Sequence, residues 1–140
     1  MRDRTFRGSS ILVVEDDFVA ATDLRDRLIS FGYRVRLVAS AEDALATVEA
    51  RTVDLVLLNL LLPDTDGLIL CSNLKTRTPA PIIVLSERPR EVDRLLALAL
   101  GASDFLAKPL DFDDLRERIE AVVVDQRECE PVGRSHQAHM

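Results

Sequence analysis

The chain reads as short apolar runs separated by amphipathic stretches. Residues 11–14, 55–58 and 82–85 are apolar at every position, the pattern of parallel strands buried on both faces. Residues 33–37 instead alternate, with Tyr33, Val35 and Leu37 set against Arg34 and Arg36, which predicts a half-exposed strand at a sheet edge. A last short run, Asp104 to Ala107, predicts a fifth strand. Between these runs the spacing turns helical. Ala21, Leu24, Leu28 and Phe31 share one face of a helix over 18–31 that stops at Gly32, and Ser40 with Asp43 three residues on opens a helix to about residue 50. Further helices are predicted over 67–75 and over 90–100, the second ending at Gly101. Asp111 caps a final helix whose apolar face is Phe112, Leu115, Ile119 and Val122. Five strands alternating with five helices give an α/β fold, a doubly wound parallel sheet with right-handed crossovers and helices on both faces.

The polar residues that break the apolar runs are more informative than the runs. Glu15 and Asp16 follow the first strand, Asn59 stands at the end of the third, Ser86 follows the fourth and Lys108 the fifth. Ligands of open parallel sheets sit outside the carboxyl ends of the strands, so these side chains converge on one site. Two carboxylates with backbone carbonyls favour a hard cation, Mg²⁺ above all. A lysine and a hydroxyl facing that cation suit a phosphoryl group, whose oxygens need both charge and hydrogen bonds. Each residue alone is ordinary, as a helix start, a cap or a loop; their shared position at one end of successive strands carries the functional reading.

Composition narrows the classes. A chain of 140 residues with net charge −6 forms one domain and presents no general nucleic-acid or membrane surface. No run approaches the roughly 18 apolar residues of a membrane span, and the charged first ten residues are no signal peptide. Cys71 falls in a helical pattern and Cys129 in a polar stretch, which fits a reduced, cytoplasmic protein better than a disulfide. The glycines at 8, 32, 67, 101 and 133 build neither a dinucleotide-binding nor a Walker A loop, so an enzyme on this sheet is not expected. His136 and His139 stand apart from other metal-ligating residues and read as solvated.

Four ordered motifs resemble the receiver domain of two-component response regulators: residues 11–17 (ILVVEDD), 54–67 (DLVLLNLLLPDTDG), 81–86 (PIIVLS) and 101–109 (GASDFLAKP). The resemblance spans residues 10–124, between a lead-in at 1–9 and a linker or tail at 125–140. It implies a CheY-like, flavodoxin-like sheet of order 2-1-3-4-5. In such domains an aspartate at the position of Asn59 takes a phosphoryl group from a sensor histidine kinase. By the same resemblance, Glu15, Asp16 and the Leu61 carbonyl would hold Mg²⁺, with weak help from Asn59. Lys108 would pair with the phosphoryl oxygens, Ser86 would hydrogen-bond them, Phe105 would be the aromatic that rotates with the switch, and Pro109 would follow a cis bond.

Asn59 departs from the family at its central residue. An amide cannot replace the carboxylate nucleophile, and with one acidic group fewer Mg²⁺ is expected to bind more weakly or not at all. Two origins for Asn59 stay open, a natural receiver that signals without phosphate and a substitution that traps the unphosphorylated form. The family implies phosphorelay control of transcription through an output domain beyond this chain, with the winged-helix type as the candidate. The alternative is a phosphate-independent pseudo-receiver that acts as a protein–protein interaction module. Arg94, Asp104, Asp114 and Arg118 match positions that pair across a two-fold dimer in the winged-helix subfamily, through the fourth helix, fifth strand and fifth helix. Leu95 or Leu98 would supply the apolar contact.

Overall fold

A computed structural model describes residues 8–123. Its strands are β1 (Ser10–Val14), β2 (Arg34–Val38), β3 (Leu55–Asn59), β4 (Ile82–Ser86) and β5 (Asp104–Ala107). Its helices are α1 (Phe18–Ser30), α2 (Ala41–Ala50), α3 (Gly67–Lys75), α4 (Glu91–Ala99) and α5, over 112–123. All strand pairs are parallel, and the order is β2-β1-β3-β4-β5, as the resemblance implied. The readings of most of the lead-in, and of the linker with Cys129, His136 and His139, lie outside the described residues.

Strand geometry explains why the apolar runs are unbroken. Successive side chains point to opposite faces of a sheet, and both faces here are roofed. Leu12, Val14, Val56, Leu58, Ile82 and Val84 pack with Ala44, Val48, Leu70, Leu74 and Ala97 of α2, α3 and α4. Ile11, Val13, Leu55, Leu57, Ile83 and Leu85 pack on the other face with Leu24 and Leu28 of α1 and with Leu115, Ile119 and Val123 of α5. β2, one of the two edge strands, has a solvated side, with Arg34 and Arg36 exposed.

The structure moves several boundaries. Tyr33 is buried but precedes β2, which runs one residue further to Val38. β3 includes Asn59, which pairs with Leu85 in the ladder. α4 is shorter at both ends than its leucine-rich pattern predicted, with Arg90 and Leu100 as its caps. The buried face of α5 centres on Leu115, Ile119 and Val123, with Phe112 and Val122 half-buried at its flanks; the four-residue step sets that line. Gly8 and Ser9, expected in the loose lead-in, are tied to the sheet edge. The Gly8 amide donates to the Gly32 carbonyl and the Ser9 carbonyl accepts from Arg34.

The loop from β3 to α3 is fastened at three points. A Cβ on Gly67 would run into the Leu60 carbonyl, to which the Gly67 amide donates at 2.8 Å, so glycine is required for this close turn. Asp66 caps α3 by accepting from the Leu68 amide at 2.8 Å. Asp64 reaches across to the start of α2, where it accepts from the Ala41 amide at 3.1 Å and the Glu42 amide at 3.3 Å. Ser40 caps the same helix end as expected, accepting from Asp43 at 3.2 Å. Three amides that a helix start leaves without internal partners are thereby satisfied.

The bond from the Ala41 amide, above all, holds the Asp64 carboxyl below its ordinary range. At neutral pH the group is charged whether the chain is folded or unfolded, and its bonds stabilise the fold in full. As pH falls, the unfolded chain takes up the proton first, and the contribution is lost as pH drops through the lowered folded value. Asp64→Ala should therefore lower the melting temperature at pH 7, with a deficit that shrinks toward pH 3. A deficit of equal size at both pH values in thermal melts would mean the carboxylate's charge does not hold the loop.

Candidate functional site

The register of β1, β3, β4 and β5 sets the strand ends level, with Val14 beside Leu58, Asn59 beside Leu85 and Ser86 beside Ala107. Glu15, Asn59, Ser86 and Lys108 consequently meet at one end of the sheet. Glu15 is the hub, a carboxylate only 6% exposed. Its Oε1 accepts from Lys108 Nζ at 2.7 Å, and its Oε2 accepts from Asn59 Nδ2 at 3.3 Å and from the Asp17 amide at 3.2 Å. A buried carboxylate is tolerated when a cation and hydrogen-bond donors meet it. Here β5, β3 and the entry to α1 each provide one. Lys108 Nζ also lies 3.9 Å from Glu87 Oε2 at the exposed side of the site.

Asn59 is buried as well, and its Nδ2 makes a second bond, to the Leu61 carbonyl at 2.6 Å. The amide can point only one way. Turned over, its oxygen would face the Glu15 carboxylate and the Leu61 carbonyl, three acceptors with no proton between them. Leu61 is held in reach by an isolated bridge to Asp66, next to the Asp64 and Gly67 fastenings. Ser86 is fully buried and its Oγ accepts from the Arg88 amide at 3.0 Å. The Lys108 amide donates to the Ser86 carbonyl at 2.8 Å, and the Lys108–Pro109 bond is cis. Phe105 is buried with the cluster under α2, α3 and α4.

Asp16 is exposed beside this group, while Asp17 turns away to cap α1 by accepting from Val19 and Ala20. The chemistry of the donor set bears on a cation. Glu15, Asp16 and the Leu61 carbonyl are oxygen ligands of the kind Mg²⁺ takes, yet the Asn59 amide directs its hydrogens at two of them. Among the described residues no group of three or more acidic, histidine or cysteine side chains is gathered to hold a metal. The Asn59 nitrogen bonds the Glu15 carboxylate and the Leu61 carbonyl, two of these three candidate ligand groups.

The charged face on α4, β5 and α5 is internally paired. Arg118 Nη1 lies 2.8 and 3.0 Å from the two oxygens of Asp104, and its Nε lies 3.1 Å from Asp114. Arg94 pairs with Glu91 at 2.6 Å, a partner its own helix supplies and the sequence reading did not include. Leu95 and Leu98 are exposed on α4, as are Val92 and Leu96. Reading the sequence also passed over Asp64, the Asp17 amide and Glu87. An Asx or Ser cap is legible from local spacing, whereas Asp64 caps a helix more than twenty residues away, which no local pattern announces.

Comparison with known proteins agrees with this geometry. The family model for the response regulator receiver domain matches residues 11–120. The chain is 36% identical over 115 residues to the sensory transduction protein RegX3 of Mycolicibacterium smegmatis, covering 82% of this chain and 50% of that protein. It is 35% identical over 121 residues to the transcriptional regulatory protein BaeR of Escherichia coli, covering 86% of this chain and 49% of that one. The chain thus spans about half the length of these curated relatives. Among solved structures, a CheY-like receiver domain from Methanospirillum hungatei aligns with a TM-score of 0.83 at 27% identity, over 86% of this chain and 98% of that one. The receiver domain of the sensor histidine kinase PA1611 from Pseudomonas aeruginosa, with a magnesium ion coordinated in its active site cleft, aligns with a TM-score of 0.76 at 32% identity, over 83% of this chain and 98% of that one. With its parallel sheet in the CheY-like order and its polar residues gathered at the strand ends, this chain belongs to the response regulator receiver domain family.

Proposed function

We propose that this chain is the receiver segment of a cytoplasmic response regulator that controls transcription, and that Asn59 keeps it from accepting a phosphoryl group. The observation that carries this is the Asn59 amide itself, buried at the end of β3 with both of its bonds directed at Glu15 and Leu61. The nucleophile of an acyl phosphate must be a carboxylate, and an amide lacks its negative charge, with its nitrogen lone pair drawn into the carbonyl. Lys108 and Ser86, which would face the phosphoryl oxygens, are engaged with Glu15 and with the Arg88 amide. Mg²⁺ would be held by Glu15, Asp16 and the Leu61 carbonyl only after the amide turns and Glu15 loosens from Lys108. Binding at millimolar Mg²⁺ is accordingly not expected of the unaltered chain.

A sensor histidine kinase remains the upstream partner by family. The shortness of the chain beside RegX3 and BaeR supports an output domain outside it, and a gene that stops at Met140 would overturn that part. No described helix is long and apolar enough to cross a membrane. A second reading, the phosphate-independent interaction module, is favoured by one fact, that the buried Glu15 and Asn59 find their donors and acceptors without phosphate or metal. Restoring the acceptor separates the two. Asn59→Asp should gain one phosphoryl group from a small-molecule donor in the presence of Mg²⁺, seen by intact mass, and should take up beryllofluoride. An Asn59→Asp protein that does neither would show a pocket degenerate beyond this residue and leave the interaction module.

We also propose weak self-association through α4, β5 and α5. A two-fold interface must carry both acid and base on each surface, as Asp104, Asp114, Arg94 and Arg118 do. Because Arg118 is already paired within its own chain, association exchanges partners, and exposed pairs contribute only about 0–1 kcal/mol each. Leu95 and Leu98 would have to supply most of the affinity. Sedimentation at high protein concentration should show Arg118→Glu weakening the dimer and Asp104→Arg added to it restoring the dimer. Association untouched by either change would exclude this face.

A further inference from the structure

At the end of the sheet opposite Asn59 lies a cavity of about 400 Å³ lined by Ser10, Arg34, Val35, Arg36, Arg51, Thr52, Val53 and Asp54. Its position is set by the edge strand. Arg34 and Arg36 are two residues apart and so project from one side of β2. Val38, on that same side, packs with the cluster beneath α2, while Val35 and Leu37 pack on the other side. Both arginines therefore stand on the α2 side of the sheet. There the turn from α2 into β3 brings Arg51 and Thr52 into the lining. The lining residues include three arginines and one aspartate, and the Asp54 carboxylate receives the Ser10 amide at 2.8 Å besides a further contact. Arg34 gives one N–H to the Gly8 carbonyl at 2.9 Å. Among the described residues no carboxylate is ion-paired to Arg34, Arg36 or Arg51.

We propose that this cavity binds a small phosphorylated ligand of nucleotide size, recognised through its phosphate groups. Guanidinium forks match phosphate oxygens in geometry and charge, a threonine hydroxyl adds a neutral donor, and the volume lies within the range of small-molecule sites. Charged side chains on an edge strand have a simpler use, which is to block pairing with other strands. Arg34 and Arg36 alone would serve that purpose. Arg51 and Thr52 come from a different element, and an edge guard has no need of a second basic wall. The adjoining hollow lined by Arg51, Thr52, Arg77 and Thr78 is a weaker choice, because Arg77 is bonded to Glu49 at 2.8 Å. The cavity lies at the amino ends of the strands, so its occupancy does not depend on the chemistry at Asn59.

Calorimetric titration of the chain at low ionic strength with pyrophosphate, ATP and adenosine tests the proposal. One pyrophosphate and one ATP should bind per chain, and adenosine should not. Arg36→Ala and Arg51→Ala should each weaken pyrophosphate roughly tenfold, the loss of one charged hydrogen-bonding partner, while Arg77→Ala should bind like the parent. Both arginines of the first pair are exposed, and circular dichroism will show that the variants keep the fold. The proposal fails if millimolar pyrophosphate gives no binding, if adenosine binds as well as ATP, or if Arg77→Ala weakens binding as much as Arg36→Ala and Arg51→Ala.

Discussion

One buried carboxylate holds the functional end of this protein together. Glu15 has lost nearly all its contact with water and must be met by donors, and the three that meet it come from three separate parts of the chain. Lys108 joins β5 to β1 across the whole site, Asn59 joins β3, and the Asp17 amide fixes where α1 begins. Removing one member of such a buried arrangement leaves a charge or dipole without a partner, which is far more damaging than losing an exposed pair. The level register of the strands exists for the sake of hydrophobic packing, but it is also what brings these groups within bonding distance.

On the proposed reading, in which Asn59 stands where receiver domains carry an aspartate, the asparagine does not leave a hole. The two side chains have the same shape, but the amide exchanges an acceptor for a donor, and that donor finds the Glu15 carboxylate and the Leu61 carbonyl. In a site with aspartate those oxygens would crowd a third carboxylate and call for a cation. With asparagine the arrangement is close to balanced, one half-buried lysine against one buried glutamate, with Asp16 in water. The same balance bears on Phe105. A phenyl ring has no hydroxyl requiring a buried partner, so nothing opposes its packing inward against the cluster under α4.

Much of this was legible in the sequence because most of it is local. Unbroken apolar runs marked the strands buried on both faces, the Tyr33 to Leu37 alternation marked the edge, and Ser40 and Asp111 capped the helices that their spacing announced. The convergence of Glu15, Asn59, Ser86 and Lys108 was legible because a parallel sheet sends its strand ends to one place. What spacing could not show was how they are joined. Glu15 and Lys108 are 93 positions apart in the chain, and nothing near Asp64 indicates that it serves the start of α2. The direction of the Asn59 amide likewise depends on acceptors that only the folded chain assembles. The α5 face was read slightly off its axis because Val122 and Val123 are both apolar and only packing chooses between them.

On the proposed reading the Asn59 amide, by bonding Glu15 and Leu61, occupies oxygens that a cation would need. Ligands that bind the folded state raise its melting temperature, so thermal melts of the unaltered chain with and without millimolar Mg²⁺ test the claim directly. With the amide bridging these oxygens, the melting temperature should not move. A rise with Mg²⁺ that disappears in Glu15→Gln would show a cation entering the site despite the amide and would contradict it.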